Sequence, residues 1–307
     1  MTSAILQAPP LTRPTLAELV GDTADFLTAT WRRVPRVHST DTSWTGALSV
    51  ADLDRVLACG TLTEPYLEMV EGGRHLPVRR YTTPRPVGPT AIHTAVDPGK
   101  VRTEVSKGAT VLLRNVEHWH APVAALVQSL GGELGRKTEA FYFLSPPDRQ
   151  ALPAHRDDAD VFVIQVQGSK SWTVHTPPTD GNWAPSTERE PGDIALRTVL
   201  HPGDVLYVPR GAAHCATGVG PGLSAHLSLT VREIGAAQLQ DALRTLLAAD
   251  LFLSPRPVDD AGLAQIADRL LDHYRARLAD LSAEELVATA RTALATRPDM
   301  ASDLASL

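Results

Sequence analysis

Apolar positions change period twice along the chain. Near the start they fall three and four apart. In TLAELVGDTADFLTATWRRVP, Leu16, Leu19, Val20, Phe26 and Leu27 describe an amphipathic helix turned at Gly21, and Thr15 with Glu18 has capping-box spacing. LSVADLDRVLACG repeats the logic, with Ser49 and Asp52 to open a helix and Gly60 to stop it. The first quarter therefore reads as mainly helical, behind a Pro- and Thr-rich start, to about residue 14, expected to be loose. From Pro77 to Asn115 prolines, threonines and valines dominate, and GATVLLRNVE predicts a strand entered at Gly108. APVAALVQSLGGELG predicts a short helix with a glycine-rich end. From Phe141 to Arg232 short β runs recur between Pro, Gly and Asp turns, a spacing that predicts a β-barrel or sandwich. After Glu233 the 3.6-residue period returns, with Leu263, Ile266, Leu270, Tyr274 and Leu278 on one stripe and a further capping-box pattern at Ser282 and Glu285.

Composition narrows the class. The 307 residues are 43% hydrophobic and 21% charged, ordinary globular values, and the net charge of −6 argues against a nucleic-acid partner. The two cysteines, Cys59 and Cys215, lie far apart, which favours a reducing compartment. No signal-peptide pattern opens the chain and no apolar stretch approaches the ~18 residues of a membrane span. The expectation is a cytoplasmic protein without membrane contact.

Chemistry concentrates in PAHRDDADVFVIQVQGSKSWTVH. In an extended segment alternate side chains share a face, so His155 and Asp157 point together while Arg156 and Asp158 point away. A third ligand must come from elsewhere, and His214, beyond the turn Pro209-Arg210-Gly211 in GDVLYVPRGAAH, is the best candidate. Two histidines and one carboxylate form the facial triad suited to non-haem Fe(II), with positions left for a cosubstrate and O2. His118 and His120 in EHWH are a rival pair, read as surface or packing residues. Lys170 opens the strand after the Gly168 turn, and a lysine beside a barrel lumen needs an anion. In GLSAHLSLTV, Ser224, His226, Ser228 and Thr230 share one face, either toward solvent or toward a ligand in the lumen.

HRDDADVFVIQVQGSKSW, GDVLYVPRGAAH and SAHLSLTV together resemble the JmjC-type cupin oxygenases of the ribosomal-oxygenase group, strongly over residues 85 to 232 and more weakly upstream. The resemblance implies a mainly β fold with α: a double-stranded β-helix (cupin/JmjC jelly-roll) barrel at 85–233, an N-terminal mainly helical segment at 1–84 packing on it, and a C-terminal helical dimerisation domain at 234–307. It implies a dioxygenase that uses Fe(II), 2-oxoglutarate and O2 to hydroxylate an amino-acid side chain in a peptide or protein. His155, Asp157 and His214 match the iron ligands, Lys170 matches the residue for the distal carboxylate of 2-oxoglutarate, and Thr230 matches a hydroxyl assisting it. His226 and Ser228 join the cosubstrate face. Phe141 and Phe143 stand where many members carry Asn and Tyr, which makes the substrate pocket more apolar. The seventy or so residues after the barrel suffice for helices but not for the winged-helix-like domain usual in the group. A two-fold homodimer through residues 236 to 296 is expected. A tailoring hydroxylase of a small-molecule natural product, and a metal-binding cupin that is no oxygenase, remain as alternatives.

Overall fold

The computed structural model describes residues 15–39, 46, 48–189, 191–253 and 255–295. The expectation of a loose start before residue 15, and residues 254 and 296 of the expected dimer segment, lie outside these. The described residues form two compact units, one of residues up to Leu134 with Thr138–Arg232, the other of Gly135–Lys137 with the chain from Glu233.

The first unit is mainly β with helices. Its strands are β1 (Arg36–Ser39), β2 (Leu67–Glu71), β3 (Arg74–His75), β4 (Arg85–Val87), β5 (Thr90–Ile92), β6 (Thr110–Leu113), β7 (Thr138–Ser145), β8 (His155–Arg156), β9 (Ala159–Gln167), β10 (Ser169–His175), β11 (Ser186–Thr187), β12 (Ile194–Leu200), β13 (Asp204–Val208), β14 (His214–Val219) and β15 (Ser224–Arg232). Eight strands form one sheet in the order β1-β13-β9-β15-β7-β6-β2-β3, and five form a second in the order β11-β8-β14-β10-β12. All the pairings are antiparallel. β9 and β15 are buried along nearly their whole lengths; β9 accordingly reads as a nearly continuous apolar run, whereas β15 keeps its alternation although its polar face is also buried.

The helices of this unit are α1 (Thr15–Val20), α2 (Thr23–Asp25), α3 (Val50–Cys59), α4 (Pro98–Lys107) and α5 (Ala121–Leu134). The first quarter is less helical than its periodicity predicts, because β1, β2 and β3 all join the large sheet. The capping box at Ser49 and Asp52 is present, and Gly60 closes α3 in the left-handed region. The one expected at Thr15 is not formed. Thr15 lies inside α1 with its hydroxyl unpartnered, and the Glu133 carboxylate of α5 accepts from the amides of Thr15 and Leu16 at 2.6 and 3.1 Å. A partner over a hundred residues away leaves no local signal. α4 was not anticipated, although Asp97 as N-cap, Pro98 behind it and Gly108 at the end are ordinary helix punctuation. α5 spans the expected stretch, with Gly131 and Gly132 in its last turn and Gly135 in the left-handed region just beyond it.

Phe26 ties the N-terminal segment to the sheet, edge-on to Tyr207 at 5.0 Å and against Phe162 at 5.7 Å. The second unit holds α6 (Ala236–Ala248), α7 (Asp260–Asp280) and α8 (Ala283–Ala295), of which α6 and α8 gather on a small core of Ile234, Ala242 and Ala290. Arg136 and Arg291 both bind the Glu233 carboxylate there. No residue of α7 is buried. Among the described residues no helix is long and apolar enough to cross a membrane.

Candidate metal centre

The strand pair β8–β14 sets His155 directly opposite His214. Asp157 follows β8 by one residue, and the three side chains each offer a ligand atom within 4.8 Å of the others. The Asp157 carboxylate lies 3.9 Å from Nε2 of His155 and 3.7 Å from Nε2 of His214, spacings too long for hydrogen bonds but suited to a shared cation. Both imidazoles are oriented from behind. His155 donates from Nδ1 to the Pro153 carbonyl at 2.9 Å, and His214 donates from Nδ1 to the Ala212 carbonyl at 3.0 Å. A carbonyl can only accept, so each proton sits on Nδ1 and each Nε2 presents a lone pair toward Asp157. The donor set, two neutral imidazoles and a carboxylate on one side, fits a divalent iron.

The alternation around the motif is also realised. Arg156 turns away to the Gly211 carbonyl at 2.6 Å and to Glu188, and Asp158 turns away to Arg210 at 2.7 Å. These contacts hold the Pro209–Gly211 turn that delivers His214. Gly211 takes φ +77°, and a Cβ there would press on Trp183 at 3.0 Å. Asp160, fully buried at the start of β9, accepts from the Tyr207 hydroxyl at 2.7 Å, the Arg210 amide at 3.1 Å and Arg32 at 3.0 Å. Sequence reasoning missed Asp160, although an aspartate heading an apolar strand needs such partners.

From His155 and His214 a cavity runs between the sheets, walled by Val161, Val163, Trp172 and Phe143. Lys170 lies at its closed end, 2% exposed. The turn that puts it there requires Gly168, at φ +59°, where a Cβ would meet the Leu223 carbonyl at 2.5 Å. Lys170 Nζ donates to Ser145 Oγ at 3.1 Å and to His226 Nδ1 at 3.0 Å. Among the described residues no carboxylate lines the cavity, and burial pulls the Lys170 ammonium down to about 7. His226 is held well below its usual value, by burial first and then by Lys170 and His214.

Ser228 lines the cavity, and Phe143 stacks on His226 with centroids 4.8 Å apart. Thr230 does not line it. On β15 His226 stands opposite Gln165, Ser228 opposite Val163 and Thr230 opposite Val161, so Thr230 lies ~13 Å along the strand from the lysine end. The hydroxyl beside Lys170 is Ser145's, which the period-two run Phe141, Phe143, Ser145 could have indicated. Phe141 also lies outside the cavity lining, with Arg114 over its ring at 6.0 Å. Among the described residues the rival histidines are not gathered with a third ligand: His118 meets the Tyr66 hydroxyl at 3.3 Å, and His120 is buried with no hydrogen-bond partner at either ring nitrogen.

A family model described as JmjC domain matches residues 118–239. Ribosomal oxygenase 1 of Gallus gallus is 30% identical over 243 residues, covering 75% of this chain and 38% of that protein. The bifunctional lysine-specific demethylase and histidyl-hydroxylase NO66 of Aedes aegypti is 38% identical over 100 residues, 31% of this chain and 16% of that protein. The chain thus spans well under half the length of these curated relatives. Among solved structures, YcfD, a ribosomal oxygenase from Escherichia coli described in complex with cobalt and 2-oxoglutarate, superposes with a TM-score of 0.52 at 20% identity, covering 85% of this chain and 70% of that one. The family match and that likeness together support a mainly β JmjC cupin fold with helices.

Proposed function

We propose that this chain, which belongs to the JmjC-type cupin proteins of the ribosomal-oxygenase group, is an Fe(II)- and 2-oxoglutarate-dependent dioxygenase that hydroxylates a side chain in a peptide or protein. The observation that carries the reading is one cavity with a two-histidine, one-carboxylate set at its mouth and a buried, uncompensated lysine at its closed end. A 2-oxo dicarboxylate has matching ends, a chelating keto acid and a distal anion.

His155, Asp157 and His214 would hold Fe(II). Bound there, iron supplies the site at which O2 is consumed while 2-oxoglutarate is decarboxylated to succinate and CO2 and a substrate C–H becomes C–OH. The chain's own work is positioning and exclusion of water. The Pro153 and Ala212 carbonyls keep the imidazoles aimed. Lys170 would take the distal carboxylate, with His226 beside it and Ser228 further up the same wall. Val161, Val163, Trp172 and Phe143 would keep the space between dry. Phe143 leaves the wall without a phenol, which favours an apolar or weakly polar target side chain.

The exposed residues Phe252, Leu263, Leu271 and Leu278 support a two-fold homodimer through the C-terminal helices, since a stripe left open in the single chain gains from a second copy. The unpaired Cys59 and Cys215 suit a cytoplasmic site. Incubation of the purified protein with Fe(II), ascorbate and 2-oxoglutarate should release succinate, and peptide substrates should gain 16 mass units. Absence of iron-dependent succinate would leave a metal-binding cupin, and hydroxylation confined to free small molecules would replace the protein substrate.

A further inference from the structure

β8, which carries His155, is two residues long and meets β14 through a single pair, His155 with His214. So short a ladder does not hold a strand by itself. Its other edge is covered by β11, where Ser186 stands opposite Arg156 and Thr187 opposite His155, and the Glu188 amide donates to the Ala154 carbonyl at 2.8 Å. β11 belongs to an outer strap, residues 176–189, rooted where the Thr176 amide donates to the Asp193 carbonyl at 2.9 Å.

The same strap reaches the turn that delivers His214 by two routes. The Glu188 carboxylate accepts from Ser186 Oγ at 2.9 Å and meets Arg156 Nε at 3.1 Å, and Arg156 Nη1 donates to the Gly211 carbonyl at 2.6 Å. Trp183 lies against Gly211, so close that a Cβ there would meet its Cε2 at 3.0 Å, and the Arg210 guanidinium sits over its ring at 5.6 Å. The Gly211 amide in turn donates to the Asp157 carbonyl at 3.1 Å. Between residues 179 and 189 only Trp183 and Glu188 are half-buried, and the rest are exposed. Among the described residues none of the strap belongs to an apolar core. Its inward contacts are therefore spent on the segments that carry the three metal-binding side chains.

We infer that Trp183 and Glu188 are positioning residues for the metal centre, setting the separation of His155 and His214 through Gly211 and Arg156 and so the affinity of the site for a divalent ion. The inference rests on the metal assignment and not on which substrate is oxidised. Groups that orient ligands from behind cost about ten- to hundred-fold in metal affinity when removed. A strap with so little buried apolar surface has little folding stability to lose, so its loss falls on ligand geometry.

Full-length protein is titrated with Mn(II) by calorimetry and with Co(II) by visible absorption, whose ligand-field bands report ligand geometry rather than the amount of folded protein. Trp183→Ala and Glu188→Ala should each lower Mn(II) affinity by about ten-fold and shift the Co(II) bands, with the unfolding midpoint of the metal-free protein unchanged. Trp183→Phe keeps a ring against Gly211 and under Arg210 and should restore most of the affinity. Thr179→Ala, exposed in the same strap, should match wild type. Either alanine variant suffices if the other fails to fold. Wild-type affinity and bands in the folded variants overturn the inference and leave the metal centre standing. A loss that Thr179→Ala shares, or one that comes with a lowered midpoint and unshifted bands, also overturns it, because the strap then only stabilises the fold. A wild type that binds neither ion removes the metal assignment, and the oxygenase reading and the inference fall with it.

Discussion

The two ends of the cavity are built by different means. At the metal end three ligands come from one short strand, the residue after its end and the strand directly opposite, and the backbone does the orienting through the Pro153 and Ala212 carbonyls. At the closed end Lys170, Ser145 and His226 come from three strands in two sheets, and side chains do the orienting. The metal end is partly open, with the Asp157 side chain 39% exposed, whereas Lys170 is 2% exposed. A metal can bring its own charge to an open mouth. The closed end must keep a cation without a counter-charge until a ligand arrives, so its energetics depend on the ligand and on pH.

The largest effect that would break this contrast is at the metal. His155→Ala or His214→Ala should lower iron-dependent succinate release by roughly a hundred-fold or more, since altering even groups that merely orient metal ligands costs ten- to hundred-fold. Wild-type turnover in both variants would move the centre elsewhere and return attention to His118 and His120. Lys170→Ala comes next. It should raise the 2-oxoglutarate concentration for half-saturation by about ten- to hundred-fold, as expected for a lost charged hydrogen bond, and change Mn(II) affinity little. A matched fall in both would mean that the two ends are not separable.

The same contrast governs what could be read from the chain. His155 and Asp157 are two apart at the end of one short strand, and His214 follows a turn spelled out by Pro209 and Gly211, so local spacing pointed to all three. Lys170 was visible for the same reason, as the second residue after Gly168. The period-two run through Phe141 and Phe143 puts Ser145 on their face, but its meeting with Lys170 depends on β7 of the large sheet reaching β10 of the second, a pairing that no local period encodes. Thr230 was misplaced on the same grounds. It shares a face with His226, but the direction in which β15 runs past β9 carries it toward the metal end. The strands of the β-rich stretch were legible from turn residues. α4 and the strands of the first quarter were hidden by composition, and the cap on α1 is supplied by Glu133 from another helix.

The proton balance of the closed end sharpens the comparison further. In the free protein burial holds Lys170 at about 7, and a carboxylate beside it favours the charged form. The bound pKa is then above the free one, so binding takes up a proton wherever the pH exceeds about 7. The groups facing Lys170 are His226, kept neutral by its own depressed pKa, and the Ser145 hydroxyl, so the uptake is assigned to the lysine. Affinity for 2-oxoglutarate should be full below pH 7 and fall by up to about ten-fold per unit above it. Calorimetry in buffers of different ionisation enthalpy reads the uptake directly. A pH-independent affinity between 6.5 and 8.5, with no proton exchanged, would show that the free lysine is already charged.

The smallest effect tests whether the metal end is held by the turn behind it. Asp160 touches no ligand atom, but it accepts from the Arg210 amide and the Tyr207 hydroxyl, and Arg32 closes on its other oxygen. Asp160→Asn can keep the first two acceptor contacts and must lose the third, because an amide nitrogen would then face the Arg32 donor. The loss is one charged hydrogen bond to a partly exposed arginine, about 1–3 kcal/mol of stability. The Pro209–Gly211 turn should loosen rather than collapse, since Arg156 still reaches the Gly211 carbonyl and Arg210 still reaches Asp158. Mn(II) affinity should therefore fall by less than about ten-fold. Succinate binding at the closed end should not change, because Lys170, Ser145 and His226 do not contact the turn. A variant that weakens both ends equally would show that the cavity responds as one rigid piece; one that weakens the metal alone would confirm that the turn positions His214.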